Sequence, residues 1–189
     1  MNFNRPLILA SSSPRRQFLM KEAGFVFAIE KPEGDESFSP TMPVNEVPAF
    51  LAEKKARSIE YKLKGDEVIL TSDTVVILEG EILNKPQDRA DAIAMLTQLS
   101  GKTHTVITAV CLLSKSKKDC FDDSTKVTFK DLSKDEITYY VDHHKPYDKA
   151  GAYGAQDWIG MVAINKIEGS YFTVMGLPMH KVYTHLQQF

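Results

Sequence analysis

Segments with the pattern of β-strands alternate with segments of helical period along most of this sequence. The apolar runs LILA, VILTSDTVVIL and THTVITAVCLL are typical of strands, and the helical segment AFLAEKKARSIEYKL lies between the first two. Each strand or helix must bury its apolar side against another layer, and interleaved elements do this in a sheet covered by helices. The sequence therefore predicts an α/β or mixed-sheet fold, although it does not determine the order of the strands.

Local signals predict where several of these elements begin. Ser13-Pro14 is typical of a helix start, with serine as the N-cap and proline in the first turn. Asp88 is a second N-cap, and Ser133 with Glu136 forms a capping box. We also predict a strand over GSYFTVM and a last helix that starts at Pro178.

The length and the charge limit the class of protein. A chain of 189 residues has the size of one domain, so we predict a single domain over residues 1–189. The formal net charge of −2 gives no general attraction for nucleic acid or for an anionic membrane. No stretch approaches the roughly 20 apolar residues that a membrane span requires. We therefore expect a cytoplasmic protein without a nucleic-acid or membrane partner.

Two cysteines, Cys111 and Cys120, lie outside any CxxC or Cys/His metal motif. One interpretation is a redox pair. The other, which we favour from the sequence, is a buried small side chain and an unrelated thiol in a loop.

The first candidate site is the segment Ser11-Ser12-Ser13-Pro14-Arg15-Arg16. A strand leads into a serine-rich turn and a helix leaves it, so backbone N–H groups and the positive end of the helix dipole point at one place. Serine hydroxyls and two arginines add donors that suit phosphate oxygens. The alternative is an ordinary capped helix with solvated arginines.

The second candidate is Asp73, which lies inside an otherwise apolar strand in Ser72-Asp73-Thr74. Burying an unpaired carboxylate is costly, so this one must be paired, bound to a metal or placed at a cleft. Beside a phosphate it could orient water or hold a divalent cation. The alternative is an aspartate on the exposed side of an edge strand.

Three further groups carry weaker signals. Lys55 and Lys85 could contact phosphate as mobile point charges, and the acidic pair Asp35-Glu36 could supply the hard oxygen ligands that magnesium prefers. Taken alone, each of these is more typical of a solvated surface. Gln156, at the end of DKAGAYGAQ, offers a donor and an acceptor for the edge of a base. That segment is equally consistent with a structural loop.

Taken in order along the chain, these motifs resemble the Maf family of nucleotide pyrophosphatases. LILASSSPRR resembles its phosphate-binding segment, LAEKKA its lysine helix, TSDTVV its catalytic strand and Asn84-Lys85-Pro86 its second lysine. LSGKTHTVITAV, DKAGAYGAQ and GSYFTVMGLP resemble later signatures. The resemblance covers essentially the whole chain.

The resemblance implies an enzyme that cleaves nucleoside triphosphates to the monophosphate and pyrophosphate with a divalent metal, magnesium or manganese. It implies an elongated mixed sheet with flanking helices, in two lobes around a cleft, as in inosine triphosphate pyrophosphatases. Asp73 would position or deprotonate water, and Glu36 with Asp73 would hold the metal. The residues implied to bind the phosphates of the substrate are Ser11, Arg16, Lys55 and Lys85. Those implied to contribute to the selection of the substrate are Arg15, Thr74 and Gln156.

DKAGAYGAQ resembles the branch of this family that acts on dTTP and UTP, which would remove excess or non-standard nucleotides. Asp157-Trp158 departs from the pattern, because many relatives have glycine directly after the glutamine, and Trp158 could alter the choice of base. Two alternatives stay open: a preference for 7-methyl-GTP, and a nucleotide-binding regulator of cell division without turnover. A homodimer is also left open.

Overall fold

A computed structural model describes residues 3–189 of the chain. Within these residues, seven strands form one sheet in the order β2-β1-β3-β5-β6-β7, with β4 paired to β3. The strands are β1 (Leu7–Ala10), β2 (Ala28–Glu30), β3 (Val68–Leu78), β4 (Glu81–Leu83), β5 (Thr103–Leu113), β6 (Lys118–Phe129) and β7 (Ile164–Glu168). Strand β1 is parallel to β2 and β3, whereas β4 is antiparallel to β3 and β7 is antiparallel to β6. The predicted α/β class with a mixed sheet is confirmed.

Helices connect and flank these strands, and most of them begin where the sequence predicts. They are α1 (Pro14–Glu22), α2 (Val47–Ser58), α3 (Arg89–Leu99), α4 (Lys134–His144), α5 (Trp158–Ala163), α6 (Tyr171–Val174) and α7 (Met179–Gln188). The Asp88 side chain accepts a hydrogen bond from the Asp91 N–H, and the capping box of Ser133 and Glu136 is complete. Across residues 3–189, no helix is both long enough and apolar enough to cross a membrane.

The chain divides into two compact units. The first contains the described residues up to Asp73, together with Thr108–Asp123 and Gly176–Phe189, and the second contains Thr74–Ile107 and Ser124–Met175. The prediction of a single domain over residues 1–189 stays a prediction.

The core of the first unit lies between helix α2 and the sheet. Ala52 and Ala56 of α2 pack with Ile69 of β3 and with Ala109 and Cys111 of β5, and all five are buried. Small residues on the helix allow a close approach to the strands, so α2 is fixed directly against β3. This contact determines where the side chains of the first unit's candidate site lie.

The core of the second unit contains a buried histidine. His104 is 2% exposed, and its Nε2 lies 2.7 Å from the hydroxyl oxygen of Tyr153. Its ring meets Phe129 and Tyr153 edge to face, with ring centroids 5.1 and 5.3 Å away. Burial lowers the pKa of His104 to about 4 from an ordinary value of 6.5, because the charged imidazolium is poorly solvated there.

The prediction of a strand over GSYFTVM is wrong. Strand β7 ends at Glu168, and Tyr171–Val174 forms a short helix instead. Gly169 has a φ of 131°, which takes the backbone out of the strand conformation. The Thr125 side chain then bonds the backbone of Ser170, accepting from its N–H at 2.9 Å and donating to its carbonyl at 3.2 Å. These bonds come from a residue 45 positions away, so the local pattern could not show them.

We predict that buried His104 makes the folded state sensitive to mild acid. Because its pKa is depressed on folding, its neutral form contributes stability fully above pH 6.5, and this is lost as the pH falls towards about 4. The free energy of unfolding should fall by about 1.4 kcal/mol per pH unit over this interval from His104 alone. Urea unfolding between pH 7.5 and 4.5 measures the slope.

The variant His104→Phe should remove this part of the pH dependence, even if it lowers stability uniformly through the loss of the Tyr153 partner. His143→Gln, at an exposed position, is the matched control and should keep the wild-type slope. An unchanged slope in His104→Phe would contradict the assignment.

Candidate functional site

The first unit brings two carboxylates onto one lysine. The ammonium of Lys55, from α2, lies 2.5 Å from Oδ1 of Asp73 in β3 and 2.8 Å from Oε1 of Glu36 in the loop before α2. Three residues that the sequence nominated separately are therefore in direct contact. The two carboxylates therefore share one ammonium group.

A neighbouring hydrogen bond holds strand β3 and helix α2 in the register that makes this contact. The hydroxyl of Thr71, fully buried, donates to the carbonyl of Ala52 at 2.6 Å. Ala52 precedes Lys55 by one turn of α2, and Thr71 precedes Asp73 by two residues of β3. Both charged side chains therefore extend from the same side of their elements towards each other.

Asp73 is the most deeply buried carboxylate of the cluster. It is 7% exposed, and burial raises its pKa above the ordinary value, whereas Lys55 and, more weakly, Arg16 oppose the rise. Glu36 is different, because its side chain is 51% exposed. The cluster thus has a buried end at Asp73 and an open end at Glu36.

The serine-rich turn adds a second charged group beside the strand. Ser11 is buried at the end of β1, and its hydroxyl accepts a hydrogen bond from the Ser13 N–H at 3.2 Å. The guanidinium of Arg16 donates to the carbonyls of Ser72 and Gly176, each at 2.8 Å. Burial lowers the pKa of Arg16 while Asp73 opposes this effect, and an arginine keeps its charge regardless. Arg16 therefore fixes the backbone next to Asp73 and contributes positive charge there.

Asp35 and Arg15 are the sequence neighbours of Glu36 and Arg16, and Asp35 makes a different contact from Glu36. Asp35 does not join the cluster but binds Lys54 at the surface, with 2.6 Å between Nζ and Oδ1. The acidic pair is thus divided between two adjacent lysines of α2. Arg15 follows Pro14 in the first turn of α1 and is partly buried.

The second unit brings together two other predicted segments. The N–H of Gly151 donates to the carbonyl of Asn84 at 3.2 Å, which joins the loop of Lys85 to the segment that leads to Gln156. Gly151 has a φ of 66°, and a side chain there would press on Val76 of β3. Thr74, the residue after Asp73, is partly buried, and Lys85 and Gln156 are exposed.

The amide of Gln156 is oriented by its neighbour. Its Nε2 donates to Oδ1 of Asp157 at 3.2 Å, and the other carboxylate oxygen accepts from the hydroxyl of Tyr140 at 2.7 Å. A carboxylate accepts and does not donate, so the nitrogen of the amide must face it. Tyr140 also accepts from the N–H of Gly154 at 3.2 Å, which anchors the whole group to helix α4.

Trp158 follows this group and packs against helix α4. Its ring lies on Tyr139, with 4.9 Å between the ring centroids. Glycine is required at position 154, next to the side chains of Gln156 and Asp157. A Cβ there would come within 2.6 Å of the Asp157 carboxylate and 2.8 Å of the Gln156 amide.

Sequence reasoning missed several residues that build these sites. They are Thr71 and Ser72, which hold the strand, Gly176, which accepts from Arg16, and Asp157 and Tyr140, which hold Gln156. Asp157 was singled out only as a departure from a pattern, and the other four carry no local signal of their own. The specific roles of the nominated residues towards phosphate, base and metal stay predictions.

The pattern of the family described as Maf-like protein matches residues 6–189. This chain belongs to the Maf-like family. It is similar to a dTTP/UTP pyrophosphatase of Bacteroides fragilis, with 48% identity over 96% of this chain and 95% of the relative. It is also similar to a dTTP/UTP pyrophosphatase of Flavobacterium johnsoniae, with 47% identity over 95% of this chain and 93% of the relative.

A solved structure shares the fold of this Maf-like chain. The Ham1 protein of Staphylococcus aureus matches with a TM-score of 0.53 and 12% identity, over 96% of this chain and 98% of that one. The likeness at this identity concerns the fold, and it agrees with the α/β sheet described above.

The carboxylates of the Maf-like chain fit a divalent cation of the hard type. Glu36 and Asp73 already share one cation, the ammonium of Lys55. Among residues 3–189, no group of three or more His, Cys, Asp or Glu side chains is arranged to hold a metal. Magnesium is commonly held by one or two carboxylates, with phosphate oxygens and water as its other ligands. The donor set therefore fits an ion that binds together with a nucleotide.

We predict that the buried ion pair of Lys55 and Asp73 stabilises the fold even without a ligand. A double-mutant cycle with Lys55→Met and Asp73→Asn, measured by urea unfolding in the presence of a chelator, should give a coupling of about 1–3 kcal/mol. The reason is that Lys55→Met removes the cation paired with the buried Asp73, and Asp73→Asn leaves Lys55 only its contact with the more exposed Glu36.

The pair Lys54–Asp35 provides the control, since it joins the adjacent lysine of the same helix to an exposed acid in the loop before α2. Both of its side chains are more exposed, so its cycle should give a much smaller coupling. Equal couplings for the two pairs would show that burial of Asp73 does not strengthen its interaction with Lys55.

Proposed function

We propose that this chain hydrolyses nucleoside triphosphates, dTTP and UTP before others, to the nucleoside monophosphate and pyrophosphate. The observation that carries the proposal is a buried carboxylate, Asp73, paired with Lys55 beside the serine-rich turn and Arg16. The relatives named as dTTP/UTP pyrophosphatases support the substrate and the reaction. A cytoplasmic location, where nucleoside triphosphates are used, is part of the same proposal.

Hydrolysis between the α- and β-phosphates places negative charge on the departing pyrophosphate. Positively charged side chains and backbone donors that are already oriented stabilise this charge in the transition state. Ser11, Arg16 and Lys55 are proposed to bind the phosphates. A phosphate contact is proposed for Lys85 as well. In this role Lys55 exchanges part of its contact with Glu36 and Asp73 for phosphate oxygens.

Asp73 is proposed to act on the attacking water. Its carboxylate accepts a hydrogen bond from the water and either orients it or takes its proton as the oxygen bonds to the α-phosphorus. The bond from the α-phosphorus to the bridging oxygen then breaks, and the electron pair leaves with pyrophosphate. Strand β3 and the part of the Lys55 contact that remains hold Asp73 in one place during this step.

The divalent cation, magnesium or manganese, belongs to the same proposal. Glu36 and Asp73 would hold it, with Glu36 at the exposed end of the cluster and Asp73 at the buried end. When bound, such an ion neutralises phosphate charge and polarises phosphoryl oxygens.

The variant Asp73→Asn should lower kcat by about a hundredfold or more, because an amide cannot accept the proton of the water. Pyrophosphate release from dTTP and UTP is the measurement, with circular dichroism to check folding. Asp35→Asn changes a carboxylate that binds Lys54 at the surface and does not contact Lys55, and it should keep nearly full activity. A kcat within threefold of wild type for folded Asp73→Asn would contradict the role.

Gln156 is proposed to recognise the base, with Arg15 and Thr74 contributing to substrate selection. One N–H of its amide bonds Asp157, which leaves its carbonyl oxygen and its second N–H for the base edge. Uracil and thymine present an acceptor and a donor side by side, whereas cytosine presents them in the reverse order. Because Asp157 stops the amide from flipping, the order of donor and acceptor is fixed. This gives a physical reason for a choice between uracil and cytosine.

We therefore expect turnover to be best with dTTP or UTP, poorer with CTP and poorest with purine triphosphates. Gln156→Ala should reduce this preference more than it reduces the best rate. Asp157→Asn should lower the ratio of kcat/KM for UTP over CTP by about three- to tenfold, because asparagine can accept or donate and no longer fixes the amide.

Asp157→Glu keeps an acceptor next to the amide and is the matched control, expected to retain most of the preference. An unchanged ratio in folded Asp157→Asn would refute the role of Asp157. If 7-methyl-GTP or another purine is the best substrate by tenfold in kcat/KM, the pyrimidine proposal is wrong while the pyrophosphatase proposal stands. Tight nucleotide binding without release of pyrophosphate would instead favour a regulator without turnover.

A further inference from the structure

Strands β5 and β6 form a regular hairpin that places the two cysteines opposite each other. The hairpin is closed by the Ser114 N–H, which donates to the carbonyl of Lys117 at 2.8 Å. The same register holds at the other end, where the hydroxyl oxygens of Thr103 and Thr128 are 2.8 Å apart. Counting inwards from either end, Cys111 of β5 lies directly across from Cys120 of β6.

This position has the geometry of a disulfide. Ser114 and Lys117 are a hydrogen-bonded pair, so Cys111 and Cys120, three residues further from the turn, are a non-hydrogen-bonded pair. Such pairs have Cα atoms about 4.5 Å apart, within the range of roughly 4.4–6.8 Å that disulfides span. The two sulfur atoms are in contact, 2.7 Å apart, although both cysteines are free. A bond between them requires no movement of the strands.

The two thiols differ in their access to solvent. Cys111 is fully buried under α2, together with Ala52 and Ala56, whereas Cys120 is exposed on β6. The hydrogen bond between the thiols lowers the pKa of Cys120, with a smaller contribution from Lys118. The same hydrogen bond, together with burial, raises the pKa of Cys111. The exposed sulfur is therefore the one that ionises and reacts first.

We propose that Cys111 and Cys120 form a redox site, at which a low-molecular-weight disulfide such as glutathione disulfide converts the two thiols into an intrachain disulfide. The thiolate of Cys120 attacks one sulfur of the small disulfide, and the first small thiolate leaves. Cys111 then loses its proton, attacks the sulfur of Cys120, and the second small thiolate leaves. One small disulfide is reduced to two thiols, and one protein disulfide is formed.

The site is independent of the proposed nucleotide chemistry, which uses neither sulfur. The disulfide would be partly exposed at Cys120, and exposed disulfides are the kind that small thiols reduce again. The bond should therefore form and break with the redox state of the surroundings.

The test uses the folded full-length chain in mixtures of reduced and oxidised glutathione, analysed by intact mass and by titration of thiols. Oxidation should remove two hydrogen atoms from the chain and lower the number of free thiol groups from two to none. No glutathionyl group should remain attached. Excess reduced glutathione should restore both thiols. Peptide mapping should find Cys111 and Cys120 joined within one chain.

Two matched variants separate the steps. Cys111→Ser keeps the exposed thiol but lacks the resolving one, so it should accumulate one glutathionyl group on Cys120. Cys120→Ser leaves only the buried thiol and should react at least tenfold more slowly. Circular dichroism establishes that both are folded, and Cys111→Ala replaces Cys111→Ser if the buried hydroxyl prevents folding. A wild-type chain that stays reduced, keeps a glutathionyl group or forms a disulfide between chains would overturn the proposal.

Discussion

The burial of Asp73 is the constraint on which the arrangement of the first unit depends. A carboxylate in an apolar strand is tolerable only when a cation and hydrogen bonds compensate for its lost hydration. Lys55 supplies the cation, and this requires helix α2 to lie over β3 in one register. Thr71, through its bond to the carbonyl of Ala52, fixes that register with a neutral contact. The need to compensate one charge thus positions a helix, a strand and the loop that carries Glu36.

The second unit orders its polar site by a different means. Gln156 is exposed, and its orientation comes from Asp157, which is held in turn by the hydroxyl of Tyr140. Tyr140 is itself fully buried in helix α4, so a rigid core element determines the geometry of an exposed amide. A carboxylate is suited to this position because it can only accept, and it therefore removes one of the two orientations of the amide.

Elements with strong local signals were predicted well from the sequence. The capping box of Ser133 and Glu136 and the cap at Asp88 form as expected, because each is completed by residues a few positions apart. Helix α1 begins at Pro14 as expected, although the Ser13 side chain makes no capping hydrogen bond. The prediction of a strand over GSYFTVM was wrong. The hydrogen bonds between Thr125 and Ser170 override the preference of its aromatic and β-branched residues for a strand. Of the candidate residues, the sequence singled out Lys55, Asp73 and Glu36 one by one, whereas their contacts appear only in the structure. Their functional roles stay predictions.

The sequence by itself determined the alternation of strands and helices, the caps, and the identity of the charged residues that could meet a phosphate. Periodicity and capping act over a few residues, so one segment contains the information. The tertiary structure alone decided which charges meet: that Glu36 binds Lys55 while Asp35 binds Lys54, that Arg16 bonds Gly176 across 160 residues, and that Cys120 faces Cys111. These contacts depend on strand order and register, which follow from the packing of the whole core. No single segment of the sequence predicts them.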